Sequence, residues 1–92
     1  MGKLIIFDKY IVFVFSSDIQ EKRRHVTVRD KAGKINKLCN FWLEPFIELE
    51  KNAGFTLKEL NEIQKLVSEN IDLIIKQLKN FYAGQKVKSI TL

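Results

Sequence analysis

The first half of the chain concentrates apolar residues in short runs that are typical of β-strands. Residues 4–7 form a brief apolar run, and residues 10–15 place six β-branched or aromatic side chains in succession. A run without a polar face predicts a central strand that is covered on both sides. Residues 25–29 and 34–43 instead alternate between apolar and polar positions, and the turn sequence at 30–33 between them predicts a hairpin.

The register of this hairpin predicts two unlike faces. Pairing Arg29 with Lys34 places Val28 opposite Ile35, so apolar side chains meet on one face. Cys39 falls on that apolar face and is expected to be a small core residue. The other face mixes large apolar groups with polar and basic ones: His25, Thr27, Arg29, Leu38 and Trp42.

The second half carries a helical pattern. Thr56-Leu-Lys-Glu59 is a capping box, and an apolar stripe follows it at spacings of three or four residues. One long helix and two helices broken near Asn70 both fit the stripe. A break is favoured because a single long helix would overhang a sheet of short strands. Gly84 is expected to end the helical region.

These patterns predict an α+β fold in a single domain, residues 1–92. Residues 4–45 would form an antiparallel sheet of three to four strands. Residues 55–84 would form one or two C-terminal helices packed on one face, and residues 86–92 a tail or a short edge strand. Hydrophobic residues make up 46% of the chain, which is typical of a packed domain rather than a disordered segment.

Composition excludes several kinds of site. One cysteine and one histidine exclude an intrachain disulfide and a zinc site built from Cys and His ligands. We expect no metal and no cofactor. The longest apolar run has six residues, against roughly 20 for a membrane-spanning helix, so a cytoplasmic protein without a membrane segment is expected.

The net charge of +5 is concentrated in the first half of the chain. Residues 1–45 hold nine Lys and Arg against five Asp and Glu, whereas residues 46–92 hold seven against six. The densest basic run is Lys22-Arg23-Arg24-His25. Lys22, Arg23, Arg24 and Arg29 are candidate contacts to nucleic-acid phosphates, because guanidinium groups fit phosphate oxygens well. A solvated basic loop is the alternative.

His25 is the candidate catalytic residue, because imidazole titrates near neutral pH. Beside Arg23, Arg24 and Arg29 it would serve as the base of a weak ribonuclease. The sequence offers no second histidine as the acid. The alternative is a histidine hydrogen-bonded at the end of a strand.

Leu38 and Trp42 are candidate interface residues, because they are large apolar groups on the mixed face. Tryptophan and arginine are favoured at the energetic centres of protein interfaces, and aromatic groups on a sheet also stack on the bases of single strands. The alternatives are that the helices cover this face or that the C-terminal segment folds over Trp42, and the sequence leaves them open.

Several segments together resemble a small bacterial family of unknown function, domain-of-unknown-function family 4160. They are the strand at 7–15, the Arg-Arg-His-Val-Thr-Val stretch at 23–28, Phe-Trp-Leu-Glu-Pro at 41–45, and Asn-Ala-Gly-Phe at 52–55 with Lys-Glu-Leu-Asn-Glu-Ile at 58–63. The resemblance spans residues 4 to about 82. It implies a toxin–antitoxin-like gene context and a small protein partner encoded nearby. Many members read His-x-His where this chain has His25 and Thr27, which favours binding over catalysis.

The leading hypothesis is therefore a binding module, in a toxin–antitoxin-like pair, for a protein partner, RNA or both. One alternative is the weak ribonuclease with His25 as its base. The other is a homodimer formed through the mixed face, with no nucleic acid.

Overall fold

The computed structural model describes residues 2–7, 9–14, 24–32 and 37–92. Its elements, in chain order, are β1 (Gly2–Ile6), β2 (Tyr10–Val14), β3 (His25–Asp30), β4 (Leu38–Trp42), β5 (Glu48–Ala53), α1 (Leu57–Glu69), α2 (Ile71–Tyr82) and β6 (Ile90–Thr91). The strands form one sheet in the order β5-β4-β3-β2-β1-β6. The α+β class is confirmed.

The sheet is larger than the sequence predicted. The described residues contain six strands rather than three or four, and the sheet is mixed because β6 runs parallel to β1. The missed strand, β5, has the sequence ELEKNA and is largely exposed at the edge of the sheet. Its side chains carry no apolar alternation, so no hydrophobic pattern marks it as a strand.

The predicted central strand is confirmed. All five residues of β2 are buried, and β2 lies between β1 and β3 in the interior of the sheet. A strand buried on both faces needs no polar face, which explains its unbroken apolar sequence.

The predicted hairpin register is wrong. Val28 pairs with Cys39 and Arg29 pairs with Leu38, so the partner of Arg29 lies four residues beyond the predicted Lys34. Residues 33–36 lie outside the described residues. Because side chains alternate with a period of two, an even displacement keeps every side chain on its predicted face. Alternation therefore fixed the faces but could not distinguish the two registers.

The two helices confirm the predicted break at Asn70. The capping box is present at the start of α1, where the Thr56 hydroxyl accepts a hydrogen bond from the backbone N–H of Glu59. At the junction, the Asn70 side chain donates to the Leu66 carbonyl oxygen at 2.9 Å. Side-chain bonds of this kind compete with continued helix formation. Beyond α2, Gly84 has a φ of 79°, a left-handed conformation that favours glycine after a helix end.

Both described helices pack on the apolar face of the hairpin. Helix residues such as Ile63 and Ile74 share one buried core with Val28 and Cys39 of the sheet. The face that carries Trp42 is therefore opposite the helices. In the described part of the chain, no helix is long and apolar enough to cross a membrane.

Candidate functional site

The sheet face opposite the helices brings the predicted interface residues together. Its side chains come from β2, β3 and β4, whose cross-strand pairs include Phe13 with Thr27, Thr27 with Asn40, and His25 with Trp42. We call this surface the helix-free face and define it by eight residues: Ile11, Phe13, His25, Thr27, Arg29, Leu38, Asn40 and Trp42. None of the eight belongs to the core beneath α1 and α2.

Burial on the helix-free face decreases from its centre toward β4. Phe13 and Thr27 are each 3% exposed, whereas Leu38 on β4 is 38% exposed. Arg29, Asn40 and Trp42 are half-buried. The accessible part of this face therefore lies along β4 and at the Arg29 end of β3.

Arg29 and Asn40 both carry a buried polar atom without a partner. The Arg29 guanidinium carbon lies 5.7 Å from the centre of the Phe13 ring, in a cation–π arrangement. Among the described residues, neither Arg29 Nε nor Asn40 Oδ1 has a hydrogen-bond partner. Because Arg29 pairs with Leu38, Asn40 lies diagonally across from Arg29 on the neighbouring strand. A donor and an acceptor without partners among the described residues are thus buried close together beneath this face.

His25 packs against Trp42 at the other end of β3. The ring centroids are 5.2 Å apart and the ring planes are inclined at 76°, which is an edge-to-face contact. His25 is only 8% exposed, so its ring forms part of the packed face. A ribonuclease base has to reach the 2′-hydroxyl of bound RNA, and the burial of His25 restricts that access.

The predicted phosphate contacts do not form one cluster in the described structure. Arg24 forms an ion pair with Glu44, with 3.6 Å between Nε and Oε1. Arg29 is five residues further along the strand direction, roughly 16 Å away at the usual rise per residue. The two arginines would therefore contact different parts of any ligand. Lys22 and Arg23 lie outside the described residues.

Cys39 is a core residue, as its position on the apolar face predicts. It is 1% exposed, and burial raises the pKa of its thiol to about 12. At neutral pH the group is therefore a protonated thiol rather than a nucleophilic thiolate. In the part of the chain that the structure describes, no three His, Cys, Asp or Glu residues form a group that would hold a metal ion.

Sequence reasoning missed Asn40 and Phe13 as members of the site. Alternation places Asn40 on the same face as Trp42, but nothing in the sequence distinguishes it from other polar strand residues. Phe13 belongs to a strand without a polar face, so its side could be assigned only after its pairing with Thr27 was known.

The protein-family model described as Domain of unknown function (DUF4160) matches residues 10–78. The chain belongs to the DUF4160 family. The match begins at β2 and extends into α2, so it includes all three strands that build the helix-free face. The resemblance stated from the sequence motifs is thereby confirmed. No curated protein and no solved structure matches the chain.

Proposed function

We propose that this DUF4160 protein is a binding module whose helix-free face holds a small protein partner, as one half of a toxin–antitoxin-like pair. The observation that carries the proposal is the accessible strip of the helix-free face, where the exposed side chain of Leu38 adjoins the half-buried side chains of Arg29, Asn40 and Trp42. Arg29 Nε and Asn40 Oδ1 are buried and have no hydrogen-bond partner among the described residues, a state that costs about 1–3 kcal/mol per group. A shift of these side chains toward a bound partner would remove that cost.

The composition of the accessible strip also supports a protein interface. Tryptophan and arginine are the residue types most enriched among residues that dominate binding energy. Leu38 adds apolar area beside them. A partner that offers a carboxylate to Arg29 and an N–H to Asn40 would complement both groups.

A protein partner is favoured over RNA by the acidic residues around Trp42. Glu48 is the cross-strand neighbour of Trp42, and Glu44 already forms an ion pair with Arg24. The Glu48 carboxylate would repel the phosphates of an RNA strand stacked on Trp42, whereas the charge of Glu44 is offset by Arg24. RNA binding through the basic residues Lys22 and Arg23, which lie outside the described residues, is a separate hypothesis.

The test is a calorimetric titration of this protein with the purified small protein encoded beside it. Leu38→Glu places a charge on the helix-free face, and we expect at least tenfold weaker binding, about 1.4 kcal/mol. Leu57→Glu is the matched control, because Leu57 is 74% exposed at the start of α1, away from that face. Circular dichroism of each variant checks that it is folded.

Equal affinities for the Leu38→Glu and Leu57→Glu variants would contradict the proposal, as would the absence of any complex. Light scattering of the protein alone distinguishes the homodimer, whose mass would fall to that of a monomer on Trp42→Ala. RNA cleavage that disappears in a folded His25→Ala variant would instead support the ribonuclease alternative.

A further inference from the structure

The last 20 residues of the chain carry lysines and no acidic side chain, and Asp72, one turn before Lys76 on α2, is the acidic residue that adjoins them. Residues 46–72 contain three lysines and six acidic residues, a net charge of −3, whereas residues 73–92 contain four lysines and no acidic residue, a net charge of +4. These two opposite charges add up to the net charge of +1 for residues 46–92.

These four lysines lie on two adjacent segments of the fold. Lys76 and Lys79 are exposed on α2, and residues three apart lie on the same side of a helix. Lys86 and Lys88 are exposed on the segment that follows, while Val87 between them packs on the core. We call the surface formed by Lys76, Lys79, Lys86 and Lys88 the C-terminal basic surface.

A buried glutamine fixes the two segments against each other. The Gln77 amide nitrogen donates to the Lys88 carbonyl oxygen at 2.7 Å and to the Leu4 carbonyl oxygen at 3.1 Å. At the turn, the backbone N–H of Gln85 donates to the Asn80 carbonyl oxygen at 3.0 Å. The chain therefore returns alongside α2, and the backbone of Lys88 lies level with Gln77.

The positive charge of this surface is not neutralised within the described residues. Acidic partners lie within ion-pair distance of Lys9, Arg24, Lys37 and Lys65, but not of any of the four lysines. A fixed set of unpaired cations produces a local positive potential that attracts an extended anion.

We propose that the C-terminal basic surface binds the phosphodiester backbone of a nucleic acid, independently of sequence and separately from the protein-binding helix-free face. Lysines supply point charges that contact phosphates without reading bases. A membrane surface fits less well. Residues 73–88, all described, expose no large hydrophobic side chain that would enter the lipid interface.

The test is fluorescence anisotropy of the full chain with a labelled DNA duplex and, in parallel, a labelled single-stranded RNA. Four phosphate contacts predict a slope of about −3.6 for log K against log salt on the duplex, and about −2.8 on the single strand. Between roughly 50 and 200 mM salt, the duplex affinity should therefore fall about 150-fold.

Paired substitutions locate the contacts. Lys76→Gln with Lys79→Gln should reduce the duplex slope to about −1.8, because two of the four contacts are lost. Lys86→Gln with Lys88→Gln should have the same effect. The matched control is Lys58→Gln with Lys65→Gln, which removes the same charge from the exposed face of α1 and should leave the slope unchanged.

Equal effects of the control pair and the two test pairs would overturn the proposal, because net charge alone would then explain binding. Lack of binding at the lowest salt would overturn it too, as would binding to phosphatidylserine vesicles without binding to either nucleic acid. Leu38→Glu should leave the slope unchanged, so failure of the helix-free-face proposal is distinguishable from failure of this one.

Discussion

Lys37 Nζ lies 2.9 Å from Glu59 Oε2, and this ion pair joins the residue before β4 to the first turn of α1. Glu59 also accepts a hydrogen bond from the backbone N–H of Thr56, so one carboxylate completes the helix cap and binds the sheet. The hydrogen bond from Lys37 is the largest of the causes that hold the pKa of Glu59 below its ordinary value of 4.5. The same bond raises the pKa of Lys37.

Glu59→Gln should lower the free energy of unfolding at neutral pH, and the difference from the unchanged protein should diminish in acid. Glutamine keeps the bond to Thr56 but loses the charge that pairs with Lys37. A carboxyl whose pKa is lowered by folding stabilises the protein above its unfolded pKa, and this contribution is lost as the pH falls through the folded pKa. Urea unfolding of both proteins at about pH 7 and about pH 3 measures the difference. A difference that persists in acid would contradict the prediction.

Tyr10→Phe should make the protein less sensitive to alkaline pH. The Tyr10 ring is buried against Phe55, and burial, followed by the charge of Glu62, raises the pKa of Tyr10 to about 12. An unfolded tyrosine ionises near pH 10, so between about 10 and 12 only the unfolded state loses this proton, and stability falls as the pH rises. Plots of the free energy of unfolding against pH for the two proteins should converge or cross over this range, because the variant lacks the loss of stability caused by ionisation of Tyr10. Parallel plots for the two proteins would contradict the assignment of this pH dependence to Tyr10.

The parts of the fold that sequence predicts are those set by local patterns. The apolar run of β2 and the capping box at Thr56 each specify an element without reference to the rest of the chain. β5 was missed because an exposed edge strand needs no apolar alternation. The pairing of Arg29 was misplaced because a period of two is satisfied by any even displacement.

The candidate site likewise has features that a local sequence pattern predicts and features that it does not. Alternation places Leu38 and Trp42 on one face, with His25 and Arg29 beside them. Which face the helices cover depends on how distant elements pack, so no local pattern determines it. Asn40 Oδ1 has no hydrogen-bond partner among the described residues, and this depends on every neighbouring group, so only the assembled structure reveals it.

Gln77→Met should destabilise the protein by about 1–3 kcal/mol, because the Leu4 and Lys88 carbonyl oxygens would both lose a buried donor. The matched control is Gln64→Met, which makes the same change at an exposed position of α1 and should alter stability little. Urea unfolding of the three proteins measures both effects. Hydrogen exchange at residues 88–91 should accelerate only in the Gln77 variant. Equal stability of the two variants would show that Gln77 does not hold this segment.

Cys39 is expected to report the opening of the core. It is the only cysteine in the chain, so a reaction with an aromatic disulfide reagent can be assigned without ambiguity. Burial both shields the thiol and raises its pKa to about 12, so labelling at neutral pH should require an opening reaction. For a domain stable by about 5 kcal/mol, labelling through global unfolding would be roughly 5,000-fold slower than in the unfolded chain.

The Gln77→Met variant distinguishes global from local opening in this labelling experiment. If Cys39 reacts through global unfolding, the labelling rate should rise by the factor that corresponds to the loss of stability, tenfold for each 1.4 kcal/mol or so. If β5 detaches locally from β4, the rate should be insensitive to Gln77, because its hydrogen bonds lie at the opposite edge of the sheet. Rapid, complete labelling of the folded protein would contradict the burial of Cys39 itself.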